Sequence, residues 1–223
     1  MKIIVAKDAG YCFGVRDAVN MAYDAADKYE NVYMLGSIVH NEKVVDDLEK
    51  VGAKIVSNLE SVPKGSPILF RAHGTVSQLW EEAKKSNMKI IDATCPLVYE
   101  IHHEVKKISN EGRRVIVIGD HGHDEVVGIA SQVKNPMIVA TPEEAIKLRK
   151  TKRAGVVSQS TQTIENVQEI VNILMNKVVD LRFINTICFP TKRNQEQIKE
   201  LSEKCDVMFV IGSFTSANSK RLT

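Results

Sequence analysis

The chain has 223 residues, of which 43% are hydrophobic and 26% charged, with a formal net charge of +2. That is enough for the core of one or two ordinary domains, and the near-neutral balance gives no pull toward nucleic acid or an anionic membrane. No apolar run approaches the ~20 residues that span a bilayer, and the N-terminus turns charged again at Lys7 and Asp8, too early for a signal-peptide core, so the sequence places the protein in the cytoplasm.

In chain order, Ile3-Ile4-Val5 reads as a first strand, followed by Cys12 and a helix over about 14–28. The run Val32-Tyr33-Met34-Leu35 ends in Gly36; a helix (about 41–51), two strands (about 54–57 and 67–71) and a helix (about 76–86) come next. Met88-Lys89-Ile90-Ile91 leads to Cys95-Pro96 and a helix over about 96–110, then Val115-Ile116-Val117-Ile118 ends in Gly119. Beyond lie a helix (about 125–132), a strand (about 137–140), a helix (about 142–149), a strand (about 154–158) and a helix (about 163–177). Leu181-Arg182-Phe183-Ile184 leads to Cys188, a helix over about 191–204, and the run Val207-Met208-Phe209-Val210-Ile211 ending in Gly212. The short β-branched runs are those of buried parallel strands.

Cys12 to Gly36, Cys95 to Gly119 and Cys188 to Gly212 are each 24 residues apart. Three equal spacings over the same strand–cysteine–helix–strand order define an internal repeat of βαβ units. The predicted fold is α/β: three pseudo-threefold-related βαβ-type domains with small, mainly parallel sheets, comprising residues 13–95, 96–187, and 1–12 plus 188–223. The third is incomplete, since 59 and 69 residues separate the first two glycines from the next cysteine whereas only 11 follow Gly212. Ile3-Ile4-Val5 is expected to close the third sheet, and the natural protein to continue by roughly another half-unit.

In parallel sheets ligands lie beyond the carboxyl ends of the strands, where Cys12, Cys95 and Cys188 fall, each opening a helix whose N-terminal dipole favours thiolate. Three thiolates converging on the axis fit a [4Fe–4S] cluster with one open iron, a [3Fe–4S] cluster, or a zinc with His123 as a fourth ligand. Cys205 lacks a repeat counterpart and reads as a packing residue. Four residues after the repeat glycines stand His40, His123 and Ser216, with Glu125 and Asn218 two further on from the last pair. The later strands end at His73 and Thr75, and at Ser160 and Thr161. Imidazoles, hydroxyls and an amide with one carboxylate suit an anionic ligand and a proton to be moved. No P-loop or GxGxxG is present, so nucleotide binding lacks support. His102, His103 and His121 have no repeat counterparts, and the first two are expected on the solvent face of their helix.

The segments GYCFGV, SIVHN, RAHGT, DATCPLV, GHDEVVG, SQSTQT and GSFTSANSKRL resemble, in this order, the motifs of the 4-hydroxy-3-methylbut-2-enyl diphosphate reductase family, over residues 1–223. The resemblance implies a [4Fe–4S] cluster on Cys12, Cys95 and Cys188, with the substrate hydroxyl on the remaining iron. It implies proton delivery by Glu125, with His123 and Ser160 in the catalytic set. It implies diphosphate binding by His40, His73 and His123 and by Ser216 and Asn218, alongside Ser160 and Thr161. It further implies a ferredoxin- or flavodoxin-type electron donor and an allylic diphosphate substrate, with no nucleic-acid or membrane partner. The chain departs from the family in carrying Ser160 where threonine is common, Ala217 where many members have a second serine, and nothing in place of the family's last strand–helix segment. Other readings of the same residues are a quinolinate-synthase-like dehydratase, an iron–sulfur sensor and a structural zinc protein.

Overall fold

The structure is a computed structural model, and it describes residues 2–223. β1 (Val32–Leu35), β2 (Ala53–Val56), β3 (Pro67–Phe70) and β4 (Lys89–Asp92) form one sheet in the order β2-β1-β3-β4. β5 (Arg114–Ile118), β6 (Met137–Val139), β7 (Thr151–Ser158) and β8 (Val178–Phe183) form a second in the order β6-β5-β7-β8. Every pairing is parallel. The two sheets share one winding, so the repeat seen as a spacing is a repeat of topology.

The crossovers are helices, as parallel pairing requires: α1 (Phe13–Lys28), α2 (Glu42–Lys50), α3 (Ser77–Lys85), α4 (Pro96–Asn110), α5 (Asp124–Ala130), α6 (Pro142–Lys147), α7 (Ile164–Met175) and α8 (Phe189–Ser202). Each sheet is covered on both faces. In the first, Ala18, Ala22 and Leu48 pack with Met34 and Leu69 on one side, and Ala83 and Leu59 with Ile68 and Phe70 on the other. In the second, Ile170 and Leu174 pack with Ile116 and Val156, while Ile101, Val105 and Ile108 pack with Val115, Val117 and Val157. Burying a side chain of this size stabilises by roughly 1.5–3 kcal/mol. Gly155 makes the α4 contact close: a Cβ there would collide with the Ile108 side chain.

The expected third sheet does not form among the described residues. Ile3-Ile4-Val5 and Val207–Ile211 are irregular, with Ile3 and Val5 each 75% exposed and Ile211 97% exposed. A strand needs a neighbour for its amides and carbonyls, and neither run has one. The N-terminal loop instead docks on α8, where Asp8 accepts from Gln197 Nε2 at 2.5 Å and pairs with Arg193 at 3.1 Å. A short helix absent from the sequence reading, α9 (Ala217–Leu222), ends the chain, its first turn capped by Ser216 Oγ accepting from the Ser219 amide. No helix among the described residues is long and apolar enough to cross a membrane.

Candidate active site

Cys12, Cys95 and Cys188 occupy the N-caps of α1, α4 and α8. None makes a full side-chain capping hydrogen bond, though first-turn amides lie near Cys95 and Cys188; Cys188 Sγ lies 3.0 Å from the Thr191 hydroxyl. Two are pinned alike. The Cys95 amide donates to Ala72 O at 3.0 Å and the Cys188 amide to Ser160 O at 2.9 Å, each tying a cysteine to the loop after the neighbouring strand. The side chains after Cys12 and Cys188 meet across the axis, with the Phe13 and Phe189 rings stacked at 5.7 Å. Gly14 faces Cys95 so closely that a Cβ on it would lie 2.6 Å from that sulfur.

The thiols do not behave as the helix dipole alone predicts. Burial pushes the Cys95 thiol up, the Leu97 and Val98 amides pull it down, and the neighbouring Cys12 and Cys188 raise it further. Burial likewise raises Cys188 against the opposing pull of Thr191. Desolvation outweighs the helix N-terminus, so thiolate needs a cation to hold it.

His40, His73 and His123 come together from three loops. Their ring centroids lie 4.2 Å (His40–His73), 5.5 Å (His40–His123) and 5.9 Å (His73–His123) apart. All three titrate below the ordinary histidine range, through burial first and then mutual repulsion for His73 and His123. His123 Nδ1 accepts from the Glu125 amide at 3.2 Å. His40 Nε2, His73 Nδ1, Thr75 Oγ1 and Asn218 Oδ1 are buried with no hydrogen-bond partner in the protein. Buried polar atoms are rarely left so; these four belong to residues the sequence singled out for a ligand, whereas Arg71 Nε and His102 Nε2, also unpartnered, do not.

Glu125 is the second residue of α5, 1% exposed. Its carboxyl accepts from the Ser160 amide at 2.6 Å and the Ser160 hydroxyl at 2.8 Å. Burial raises its pKa despite those two bonds, favouring the protonated form. Thr161 Oγ1 accepts from Gln159 Nε2 at 2.9 Å and Arg221 Nη1 at 3.1 Å. Ser216 and Asn218 are partly buried at the start of α9.

Several residues of this region escaped the sequence reading. Arg71, two before His73, is ion-paired with Asp124, the neighbour of both His123 and Glu125. Glu42, two after His40, accepts from Ser213 and Thr215. Arg221 pairs with Asp120. The only signal was a charge beside a candidate histidine, which by itself reads as a solvated face. His102 corrects the reading outright. It is 6% exposed rather than on the solvent face, with its Nε2 unpartnered, packed behind Gly74 and against Tyr99. His103 is exposed, and His121 contacts Glu144 at 2.9 Å. Cys205 is half-buried beyond α8.

Among the described residues no group of three or more His, Cys, Asp or Glu side chains is arranged around a single metal ion. The donor set nonetheless fits an iron–sulfur group: three soft sulfurs at three helix N-termini, none making a full side-chain capping hydrogen bond. Gly14, two residues after Cys12, approaches Cys95 Sγ closely, and Cys12 and Cys188 are near enough to raise the Cys95 thiol.

Fold and site together define an α/β protein with cysteines at three helix N-termini, three clustered, partly buried histidines and a buried acid. The family model described as LytB protein matches residues 3–223, and the chain belongs to that family. Relatives named 4-hydroxy-3-methylbut-2-enyl diphosphate reductase include those of Geobacter sulfurreducens, 42% identical, and Geotalea daltonii, 44% identical, each over all of this chain and 79% of the relative. Among solved structures, the E-1-hydroxy-2-methyl-but-2-enyl-4-diphosphate reductase of Plasmodium falciparum superposes with a TM-score of 0.92 at 33% identity, over 97% of this chain and 70% of that one. A structure of (E)-4-hydroxy-3-methyl-but-2-enyl diphosphate reductase, described as the terminal enzyme of the non-mevalonate pathway, gives 0.77 at 36% identity, over 99% and 80%.

Proposed function

We propose that this chain removes the allylic hydroxyl of 4-hydroxy-3-methylbut-2-enyl diphosphate as water, giving isopentenyl and dimethylallyl diphosphate. The balance is two electrons and two protons in, one C–O bond broken, one C–H bond and one water formed. Cys12, Cys95 and Cys188 would hold a [4Fe–4S] cluster, which when bound supplies electrons and a Lewis-acidic iron that no side chain offers. The electrons come from a ferredoxin- or flavodoxin-type protein in a reducing cytoplasm. The chain divides into the units 13–95, 96–187 and 1–12 with 188–223, whose loops meet at the hub.

The protein's own part is binding and proton delivery. His40, His73 and His123, with Ser216 and Asn218, take the diphosphate and so fix the reacting end. Glu125, whose carboxyl burial shifts toward the protonated form, gives its proton to the departing oxygen; the Ser160 amide and hydroxyl orient that carboxyl, and His123 accepts from the Glu125 backbone amide. Ser160 retains the hydroxyl that a threonine would supply there; Thr161 lines the same loop. The observation that carries the reading is the set of unpartnered buried atoms on His40, His73, Thr75 and Asn218. They are donors and acceptors arranged for a polar ligand, in a protein whose three repeat cysteines stand at helix N-termini.

The test is anaerobic reconstitution with iron and sulfide, followed by metal analysis and turnover of the allylic diphosphate with an artificial one-electron reductant. About four irons and four sulfides per chain, with release of both isomeric products, is the expected result. Zinc as the only bound metal, or no reduction of the allylic diphosphate by iron-loaded protein, overturns it.

A further inference from the structure

Residues Ser213–Arg221 are tied down at both ends, to loops of different sheets. At the start, Ser213 Oγ and Thr215 Oγ1 both donate to Glu42 Oε1, at 2.8 and 3.0 Å. Glu42 opens α2 in the loop that carries His40. At the end, Arg221 donates through Nη2 to Asp120 Oδ2 at 2.5 Å and through Nη1 to Thr161 Oγ1 at 3.1 Å. Asp120 follows β5 and Thr161 follows β7, so this end rests on the second sheet. Between the two anchors lie Ser216 and Asn218, the latter with its Oδ1 buried and unpartnered.

Besides these anchors, α9 lies against α8 and buries Ala217. α9 has six residues, too few to persist without tertiary support. Phe209 and Ile211 before the segment and Phe214 within it are 85%, 97% and 92% exposed and contribute almost no packing. Gly212 lets the chain fold back on itself, since a Cβ there would collide with the Ser219 hydroxyl. With this one short helix contact beside them, the two polar anchors govern the placement of Asn218.

We infer that Glu42 and Arg221 are positioning residues that brace Ser213–Arg221 as a two-point strap across the anion pocket, setting Ser216 and Asn218 against the phosphate groups bound at the histidines. The inference rests on the anion-binding reading above. It makes a prediction that simple electrostatics contradicts. Glu42 is a carboxylate beside an anion site, so Coulomb's law alone has its removal tighten diphosphate binding. A brace has its removal weaken binding, and a glutamine, which keeps the acceptor oxygen, restore it. Because either anchor suffices to free the strap, losing both costs little more than losing one, unlike independent contacts, whose effects add.

The experiment is calorimetric titration of the full chain with inorganic diphosphate. Glu42→Ala and Arg221→Gln are each expected to raise Kd by about tenfold, the scale of one charge-assisted hydrogen bond. Glu42→Gln is expected to stay within about threefold of the parent, and Glu42→Ala/Arg221→Gln within about threefold of either single variant. Tighter or unchanged binding in Glu42→Ala overturns the strap while leaving the proposed function standing. Absence of diphosphate binding by the parent chain overturns the anion-binding reading and the strap with it. Should Arg221→Gln fail to fold, the Glu42→Ala and Glu42→Gln pair decides alone.

Discussion

Glu125 receives both polar hydrogens of Ser160, the amide at 2.6 Å and the hydroxyl at 2.8 Å, across adjacent strand ends 35 residues apart in sequence. The pair buries a carboxyl completely yet leaves each of its oxygens with a donor, so the acid is held in one orientation. The backbone amide cannot rotate away, and the hydroxyl can reverse its role when the carboxyl gains or loses a proton. A threonine would make the same two bonds and add a methyl group.

Glu125→Gln follows from that geometry. The amide oxygen still accepts from the Ser160 N–H, and the new NH₂ donates to the Ser160 oxygen, so the fold and the binding of inorganic diphosphate stay intact. The transferable proton is gone. Turnover of the allylic diphosphate by the iron-loaded protein is expected to fall on the order of 10² or more. Steady-state kinetics beside diphosphate titration checks this; undiminished turnover would remove Glu125 from the proton path.

The histidine trio makes diphosphate binding depend on pH. In the free protein burial holds His40, His73 and His123 below their ordinary values, and repulsion from neighbouring histidines adds to it for His73 and His123. A bound anion raises them, so binding takes up protons and tightens as pH falls. The gain is up to about tenfold per pH unit for each proton taken up, within the window between the free and bound pKa values. Titrations at pH 8 and pH 6, in two buffers of different ionisation enthalpy, measure the uptake directly. Buffer-independent heats with a flat Kd would rule it out.

His102 predicts an acid-sensitive core. Burial pushes its pKa down to about 4 from 6.5. In the unfolded chain the ring takes up a proton as pH falls through about 6.5, whereas the folded chain resists until about 4. The stabilisation is therefore full above the unfolded value and is lost as pH falls toward the folded one. Between pH 7 and pH 5 that loss is about 2 kcal/mol. Urea unfolding of the parent and of His102→Leu at both pH values isolates it: the parent should lose about 2 kcal/mol more than the variant. Equal losses would mean that His102 is protonated in the folded protein.

Two glycines separate stability from metal loading. Gly14→Ala places a Cβ 2.6 Å from Cys95 Sγ, so the sulfur must move, and iron per chain after reconstitution should drop by at least half or so. Gly155→Ala instead drives a methyl group into Ile108, expected to cost about 1–3 kcal/mol, with iron loading of the folded fraction preserved. Metal analysis with denaturant unfolding reads both. Normal iron content in Gly14→Ala would show that Cys95 does not serve the hub.

The sequence determined a great deal by itself. Equal cysteine-to-glycine spacings, with strand and helix periodicities between them, yield two sheets of identical winding. Local patterning decides which residues form βαβ units and where their strands end, because apolar period and turn chemistry are short-range properties. The motifs of SIVHN, RAHGT and GHDEVVG already placed His40, His73 and His123 at strand ends, where a parallel fold gathers them.

Only the tertiary structure decided the rest. Ile3-Ile4-Val5 and Val207–Ile211 have strand-like sequences but remain irregular, because a strand is made by its neighbour's hydrogen bonds and not by its own residues. His102 sits in a helix full of charge and yet is buried, since the loop at Gly74 closes over it. The helix N-termini promised easily ionised thiols, but desolvation, which depends on everything packed around Cys95 and Cys188, outweighs the local dipole. Glu42, Arg71 and Arg221 read as ordinary surface charges until the fold brings their partners, 171, 53 and 101 residues away, within hydrogen-bonding distance. Ion pairs between distant segments leave no periodic trace, because nothing in the chain's local sequence records which loops will meet.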